Sequence, residues 1–326
     1  MRKLLLLGAA ALMVPTVAFA DGEAPPAYVG WYFAVGAGWT DMEMPEHGNA
    51  APRVFDLGGG FAPLALQTDV DGVSYNFGAA RDFESGWRWG IGMRFFDGDG
   101  SASQAVVIPG GTPFRYGNIS GTTLGTGAVV ALAGTQTLDV DATQYAIGTS
   151  IGRSFGGMLR GDIVVSYDDM TTSYVNVVDV VGAVRDVGTS RTRFSTDTIE
   201  FAARLSANIG LMDAVSLGLG GSAGWGLRNI DMKASQTTIF NNVLITSTSL
   251  NENQNMDAFI GRLDASLNYA VSPGTMIGLT ANYVYDDSVP TYVPPSYPAA
   301  GTGTAATFVT ESQTTMTYGL RLIGRF

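Results

Sequence analysis

The chain has 326 residues, including 43 glycines and no cysteine, and its formal net charge at pH 7 is −11. The absence of cysteine excludes disulfide frameworks, thiolate metal sites and cysteine nucleophiles. The negative charge argues against a general nucleic-acid binder, which needs a basic footprint.

The amino terminus has the parts of a secretory signal peptide. A cationic head at residues 1–3 precedes an apolar run at residues 4–17, and the Ala-x-Ala sequence at residues 18–20 is a typical cleavage site. We therefore predict a cleaved leader over residues 1–20 and a short periplasmic segment over residues 21–27. A retained helical anchor is the alternative, but the apolar run is too short to span a bilayer.

From residue 28 onward, apolar and polar residues alternate as they do in β-strands with two different faces. In the first such segment the apolar face begins at Trp31 and ends at Trp39, as an aromatic girdle at each membrane interface requires. Ten segments of this kind are predicted, at residues 28–40, 70–82, 87–97, 137–153, 158–172, 194–210, 214–232, 254–271, 275–285 and 315–326.

Long polar connections and very short turns alternate between these segments. The predicted long connections are residues 41–69, 98–136, 173–193, 233–253 and 286–311. This sorting predicts an all-β fold, a transmembrane antiparallel up-and-down β-barrel of about ten strands over residues 28–326, with short periplasmic turns and long extracellular loops. Apolar stretches inside residues 98–136 could add a hairpin and raise the strand number to twelve.

The last predicted strand gives the clearest indication of the class of protein. One of its faces is apolar and the chain stops on an aromatic residue, so we predict an assembly signal made of Tyr318, Leu320, Leu322 and Phe326. The stretch resembles the C-terminal signature of bacterial outer-membrane barrels. That resemblance implies the outer membrane as location, contact with its lipids and lipopolysaccharide, and the barrel assembly machinery as a partner. An edge strand of a secreted soluble protein is the alternative.

Strand parity also assigns side chains to the lumen of the predicted barrel. The candidate pore charges are Arg88, Arg94, Arg160, Asp162, Glu200, Arg204, Arg262, Asp264, Arg321 and Arg325, and the same parity places Arg228 and Asp168 inside. Guanidinium groups along an aqueous channel favour anionic or polar solutes. Inward glycines, at residues 36, 38, 90, 92, 218, 220 and 224, favour an opening.

A plugged lumen is the alternative to a channel. Arg160 and Asp162 are neighbours on one face, as are Arg262 and Asp264, so these charges can pair with each other. A barrel of about eight strands is already filled by its own side chains, and ten strands add little room.

Residues 86–95 and 318–322 are similar to strands of the Legionella-type major outer membrane protein family of pore-forming barrels. The resemblance implies a porin-like function, passive diffusion of small hydrophilic solutes, with no cofactor and no metal. A structural or adhesive barrel, with a plugged lumen and partner-binding loops such as residues 287–311, is the alternative function.

An enzymatic role is not predicted. The single histidine, His47, follows Glu46 in the first long connection and could act as a general base. Barrel proteases of the omptin family, whose architecture the chain resembles, place a histidine two residues after an aspartate. This sequence contains no Asp-x-His, so we expect His47 to be a polar loop residue.

Overall fold

A computed structural model describes residues 30–48, 53–56, 61–62, 64–155, 158–298 and 303–326. The predicted leader and periplasmic segment lie outside these ranges. The strands are β1 (Gly30–Glu43), β2 (His47–Gly48), β3 (Arg53–Asp56), β4 (Phe61–Ala62), β5 (Ala65–Leu66), β6 (Asp69–Asp82), β7 (Trp87–Ile108), β8 (Pro113–Gly117), β9 (Thr123–Ala128), β10 (Leu132–Phe155), β11 (Leu159–Val181), β12 (Arg185–Met212), β13 (Val215–Phe240), β14 (Val243–Ser272), β15 (Thr275–Val293) and β16 (Thr307–Arg325). The described residues contain no helix that is long and apolar enough to cross a membrane.

Ten of these strands close into one antiparallel ring. Going round the ring they follow the order β1, β6, β7, β10, β11, β12, β13, β14, β15 and β16, and β16 pairs with β1. At the seam the Trp31 amide donates to the carbonyl of Phe326 at 3.2 Å, and the Phe326 amide donates back to Trp31 at 3.0 Å. The predicted fold, a transmembrane up-and-down β-barrel of ten strands, is therefore confirmed.

The alternation of side chains explains why these segments pair in a ring. On β1 the apolar side chains of Trp31 and Phe33 are exposed on the outside, whereas Tyr32 between them is buried. A continuous exposed apolar surface is unfavourable in water and stable in hydrocarbon. A closed barrel also leaves no unpaired strand edge in lipid. The chain is accordingly an outer-membrane barrel.

The barrel strands are much longer than the membrane requires. Strand β11 has 23 residues and β12 has 28, whereas a tilted strand crosses a bilayer in about 9–11 residues. The outward aromatic residues Phe95 and Tyr145, which are register partners, mark the upper boundary of the apolar surface. Above that level the barrel continues as an extracellular extension.

This extension corrects two of the predicted loops. Residues 173–193 and 233–253 belong almost entirely to paired strands, joined by residues 182–184 and by the two-residue turn Asn241-Asn242. Both asparagines have positive φ, 46° and 64°, which is the conformation that a tight type I′ hairpin turn needs and that asparagine tolerates. The predicted short turns are at the opposite, periplasmic end. The turn at 83–86 is found as predicted, and those predicted at 211–213 and 272–274 are residues 213–214 and 273–274. Part of the turn predicted at 154–157 lies outside the described residues.

The segment 98–136 does not add strands to the barrel. Its ends lengthen β7 and β10, and its middle forms the hairpin β8–β9. That hairpin belongs to a separate four-stranded sheet of order β4, β3, β8, β9. The upper limit of twelve barrel strands is therefore wrong, because the extra hairpin lies outside the ring.

The apolar core of the protein fills the extracellular mouth of the barrel. Inward side chains such as Phe96, Phe194 and Phe308 meet Met44 from the first connection and Ile119 from the β8–β9 hairpin, and all five are buried. Below this core, the inward residues are mainly polar. The barrel interior thus has an apolar upper layer and a charged lower layer.

Candidate functional site

The charged lower layer consists of arginine–carboxylate pairs, which we call the lumen pairs. In the described residues they are Arg88–Asp82, Arg160–Asp162, Arg204–Asp264, Arg228–Asp286 and Arg262–Glu200. The arginine side chains in these pairs are at most 10% exposed. Each guanidinium is therefore held against a carboxylate rather than free in water.

Three of the lumen pairs join strands that are not neighbours in the ring. Arg204 on β12 donates to both oxygens of Asp264 on β14, at 2.8 and 2.9 Å, and Arg262 on β14 binds Glu200 on β12. Strand β13 lies between these two strands. The pairs therefore bridge over the inner face of β13, and the Arg228–Asp286 pair bridges over β14 in the same way.

Glycine on the intervening strand makes this bridging possible. A Cβ atom added to Gly220 would lie 2.6 Å from the carboxylate oxygens of Asp264, and one added to Gly224 would overlap Glu200. The expectation that inward glycines leave an opening is wrong at these positions. The space that they provide is occupied by the carboxylates of the lumen pairs.

The pairing predicted from same-face neighbours is half right. Arg160 and Asp162 do pair, with Nε 2.7 Å from Oδ1. Arg262 and Asp264 do not pair with each other, because each reaches a partner on β12 instead. The carboxylates of Asp82 and Asp286 were not predicted as lumen charges, although the parity of their strands places both inside.

The other predicted lumen arginines contact uncharged groups. Arg94 donates to the hydroxyls of Thr40 at 3.2 Å and Thr317 at 3.3 Å, and none of the described carboxylates forms an ion pair with it. Arg321 donates to Ser266 and Asn268, both at 2.9 Å, over the inner face of β15. The remaining one, Arg325, lies 5.6 Å from the centre of the Tyr32 ring at the periplasmic end.

The space among the lumen pairs is small. A cavity between Asp168, Arg228 and Arg262 has a volume of about 30 Å³, which holds one or two water molecules. Gln144 donates to both carboxylate oxygens of Asp168 at the edge of this cavity. Side chains therefore fill most of the space around Asp168.

A cap closes the mouth above the core; we use this name for the β8–β9 hairpin together with residues 294–298 and 303–306. The two parts come from opposite sides of the ring. They are joined by hydrogen bonds from Arg115 to the Tyr297 carbonyl at 3.1 Å, from the Tyr297 hydroxyl to Asn118 at 3.2 Å, and from Ala306 to the Ile119 carbonyl at 2.8 Å. The Ile119 amide also reaches Thr248 on β14, at 3.2 Å.

His47 is part of the material under the cap. Its ring is stacked between Tyr174 and Tyr292, with centroid distances of 4.7 and 5.2 Å, and the residue is 2% exposed. Burial lowers the pKa of His47 to about 3, so the imidazole is neutral at physiological pH. Its neighbour Glu46 is exposed, and the two side chains do not form an accessible acid–base pair. The absence of an enzymatic role stays a prediction.

The predicted assembly signal lies on the outer face of the closing strand. Tyr318, Leu320, Leu322 and Phe326 are all exposed to the membrane side. Phe326 packs edge-on against Phe33 of β1, at a centroid distance of 5.7 Å. The structure places these residues together at the seam, and their role in assembly stays a prediction.

Comparisons with known proteins show no family for this chain. No protein-family model matches the chain, and no curated protein matches it. Among solved structures, the translocator domain of autotransporter NalP from Neisseria meningitidis is 11% identical, over 92% of this chain and 89% of that one, with a TM-score of 0.40. Outer membrane protease OmpT from Escherichia coli is 9% identical, over 93% of this chain and 98% of that one, with a TM-score of 0.42. A FadL homologue from Pseudomonas aeruginosa is 9% identical, over 97% of this chain and 100% of that one, with a TM-score of 0.27. Similarity this distant says nothing of activity.

Proposed function

We propose that this protein is a closed outer-membrane barrel with a structural role, which presents its extracellular extension to a binding partner. The observation that carries the proposal is the bridging of alternate strands by the lumen pairs. Removing one partner of a buried ion pair costs about 3–5 kcal/mol, because the other charge is left uncompensated. Opening the lumen between β12 and β15 would separate three bridging pairs at once, so these pairs oppose opening.

The extension supplies the surface for such a partner. Its outer faces and the β8–β9 part of its cap are built from paired strands, and the cap is fixed by hydrogen bonds from both sides of the mouth. A preformed surface binds with a smaller loss of conformational entropy than a loop that must order first. A structural or adhesive role uses this rigidity, whereas free diffusion through the lumen does not.

A passive pore for small hydrophilic, anionic solutes, as in the Legionella-type major outer membrane protein family, is the second candidate. One observation favours it: the lumen wall at membrane level is polar, and among the described residues Arg94 donates hydrogen bonds to the hydroxyls of Thr40 and Thr317. Water could line this wall if the cap moved away and the lumen pairs rearranged. The two functions differ in whether the wild-type barrel conducts.

Osmotic swelling of proteoliposomes distinguishes them. We expect vesicles containing the wild-type barrel to swell in glucose, or in a small carboxylate salt, no faster than vesicles without protein, with a general porin as positive control. The variant Gly117→Val inserts a side chain against Thr122 and the Tyr297 ring and disturbs the cap. Gly274→Ala, where the nearest atom is at an ordinary distance of 3.6 Å, is its matched control.

The lumen pairs lie below the cap, so Gly117→Val should remain as impermeable as Gly274→Ala. Swelling of wild-type vesicles above the protein-free rate would overturn the closed-barrel proposal. Swelling of Gly117→Val alone would show that the cap, and not the lumen pairs, keeps the barrel shut, and would favour the second candidate.

A further inference from the structure

Three basic residues form a compact group on the outer face of the extracellular extension. Arg193 on β12 and Lys233 on β13 are direct register partners, and Arg191 lies two residues further along the same face of β12. All three are exposed. Like charges placed directly opposite each other in a sheet are destabilising. We call Arg191, Arg193 and Lys233 the basic cluster.

No carboxylate neutralises the basic cluster in the part of the chain that the structure describes. The flanking partners of Arg193 and Arg191 on β11 are Ser173 and Val175, both uncharged. On the same face, Asp231 lies two residues below Lys233 and accepts a hydrogen bond from Asn253 at 2.7 Å.

An ion pair between β11 and β12 shows how an exposed arginine of this surface is neutralised. Arg185 also lies on β12 and is exposed, and it binds Asp179 of β11 through Nε at 2.9 Å and through a second nitrogen at 2.5 Å. The basic cluster lacks such a partner within a protein of net charge −11. Its charge is therefore available to an external anion.

The height of the basic cluster indicates what that anion is. On β12 and β13 the outward apolar surface ends at the register partners Ile199 and Leu227. Arg193 lies six residues beyond Ile199, which is about 20 Å along the strand and about 15 Å above the hydrocarbon at a strand tilt of about 40°. The cluster points sideways at this height, towards the saccharide layer of the outer leaflet and away from the lumen.

Outward carboxylates line the barrel just above the apolar surface. Asp41, Asp71, Asp99 and Asp141 are successive register partners across β1, β6, β7 and β10. Asp197 and Asp231 lie at the same outer face on β12 and β13, below the basic cluster. These carboxylates repel a polyanionic glycolipid, so the basic cluster above them is where its phosphates are attracted.

We propose that the basic cluster binds the phosphate groups of lipopolysaccharide in the outer leaflet. A guanidinium group donates two parallel hydrogen bonds to one phosphate, and an ammonium group adds a compact positive charge. On the flat sheet surface, each of the two guanidinium groups can bind a phosphate through two hydrogen bonds, and the lysine ammonium adds a third positive charge beside them. Binding would also relieve the repulsion between Arg193 and Lys233.

The test uses the full barrel in detergent micelles and purified lipopolysaccharide, intact or enzymatically dephosphorylated. The test variants are Arg191→Gln, Arg193→Gln and Lys233→Gln, singly and together, and Arg185→Gln is the matched control because its charge is already paired. We expect each single change to weaken binding of intact lipopolysaccharide about fivefold and the triple change about a hundredfold. The salt dependence of binding should fall with each charge that is removed.

Equal affinity for intact and dephosphorylated lipopolysaccharide would overturn the proposal, as would an equal loss in Arg185→Gln. Inorganic phosphate is the competitor that separates a glycolipid site from a free-phosphate site. We expect no competition at millimolar concentration, and full competition there would contradict the assignment to a glycolipid. Because all the substituted residues are exposed, the heat-modifiable electrophoretic shift of a folded barrel should be unchanged in every variant.

Discussion

Removing one partner of the Arg262–Glu200 pair should destabilise the barrel far more than removing both. Both side chains are almost fully buried, with 10% and 4% exposure. Glu200→Leu leaves the guanidinium of Arg262 inside the lumen without its carboxylate. Arg262→Met leaves the carboxylate alone, apart from a hydrogen bond from Ser166 at 3.3 Å. The double variant Glu200→Leu/Arg262→Met removes both charges and keeps similar volume.

The magnitudes follow from the cost of a buried, unpaired charge. Each single variant should lose about 3–5 kcal/mol of unfolding free energy, whereas replacement of a whole buried pair by apolar residues is often neutral or stabilising. The double variant should therefore be more stable than either single one. The coupling energy from the double-mutant cycle should be at least about 3 kcal/mol.

Urea unfolding of the barrel in lipid vesicles, followed by tryptophan fluorescence, measures these energies. The exposed pair Arg185–Asp179, removed in the same way, is the control, and its coupling should be too small to resolve. If the Arg262 and Glu200 changes are additive, the two side chains are solvated independently. The lumen would then contain water at this level, and the reasoning from buried pairs would fail.

Three further predictions address the glycines, the cap and the hairpin turn. Gly224→Val should lower the free energy of unfolding by about 1–3 kcal/mol through overpacking against Glu200, as measured by the same urea unfolding. Gly261→Ala should leave it unchanged, because the nearest atom to the added Cβ is 3.7 Å away. The depressed pKa of His47, about 3 against an ordinary 6.5, means that the opened state binds more protons between these values. The free energy of opening the cap, measured by hydrogen exchange, should therefore be highest above pH 6.5 and should fall with pH by up to about 1.4 kcal/mol per pH unit. The variant His47→Phe should remove this fall between pH 6.5 and 5.5. An unchanged pH profile in His47→Phe would contradict the burial argument. Asn242→Val should lower the urea midpoint of unfolding, because a β-branched residue opposes positive φ. Asn242→Gly should not lower it. Equal urea midpoints for the two variants would show that the positive φ at this position is not strained.

The fold could be predicted because a membrane strand shows its two environments in its own sequence. The alternation over residues 28–40 already separates Trp31 and Phe33 from Tyr32, and the same rule located all ten barrel strands. It failed above the membrane, where the two faces of a strand need not differ in polarity. The outward positions of residues 173–193 include Val175 and Val177. The inward residue Asn176 is polar, although Tyr174 and Val178 on either side of it on that face are apolar, so the alternation is lost.

The contents of the lumen were harder to predict for a different reason. Parity places Arg262 inside, but the identity of its partner depends on the stagger between β12 and β14, which are separated by a whole strand. The glycines of β13 indicated space, and only the structure shows that carboxylates occupy it. His47 was expected to be a polar loop residue, because nothing in its local sequence indicates two tyrosines from distant strands.

Single-channel recording in a planar bilayer tests the closed lumen most directly. The purified barrel would be reconstituted across a salt gradient, with its fold verified by the heat-modifiable electrophoretic shift. We expect the wild-type protein to show no steady openings, because the lumen pairs and the core under the cap fill the interior. Steady openings of a folded barrel, with a reversal potential that favours anions, would contradict this account and restore the arginine-lined pore.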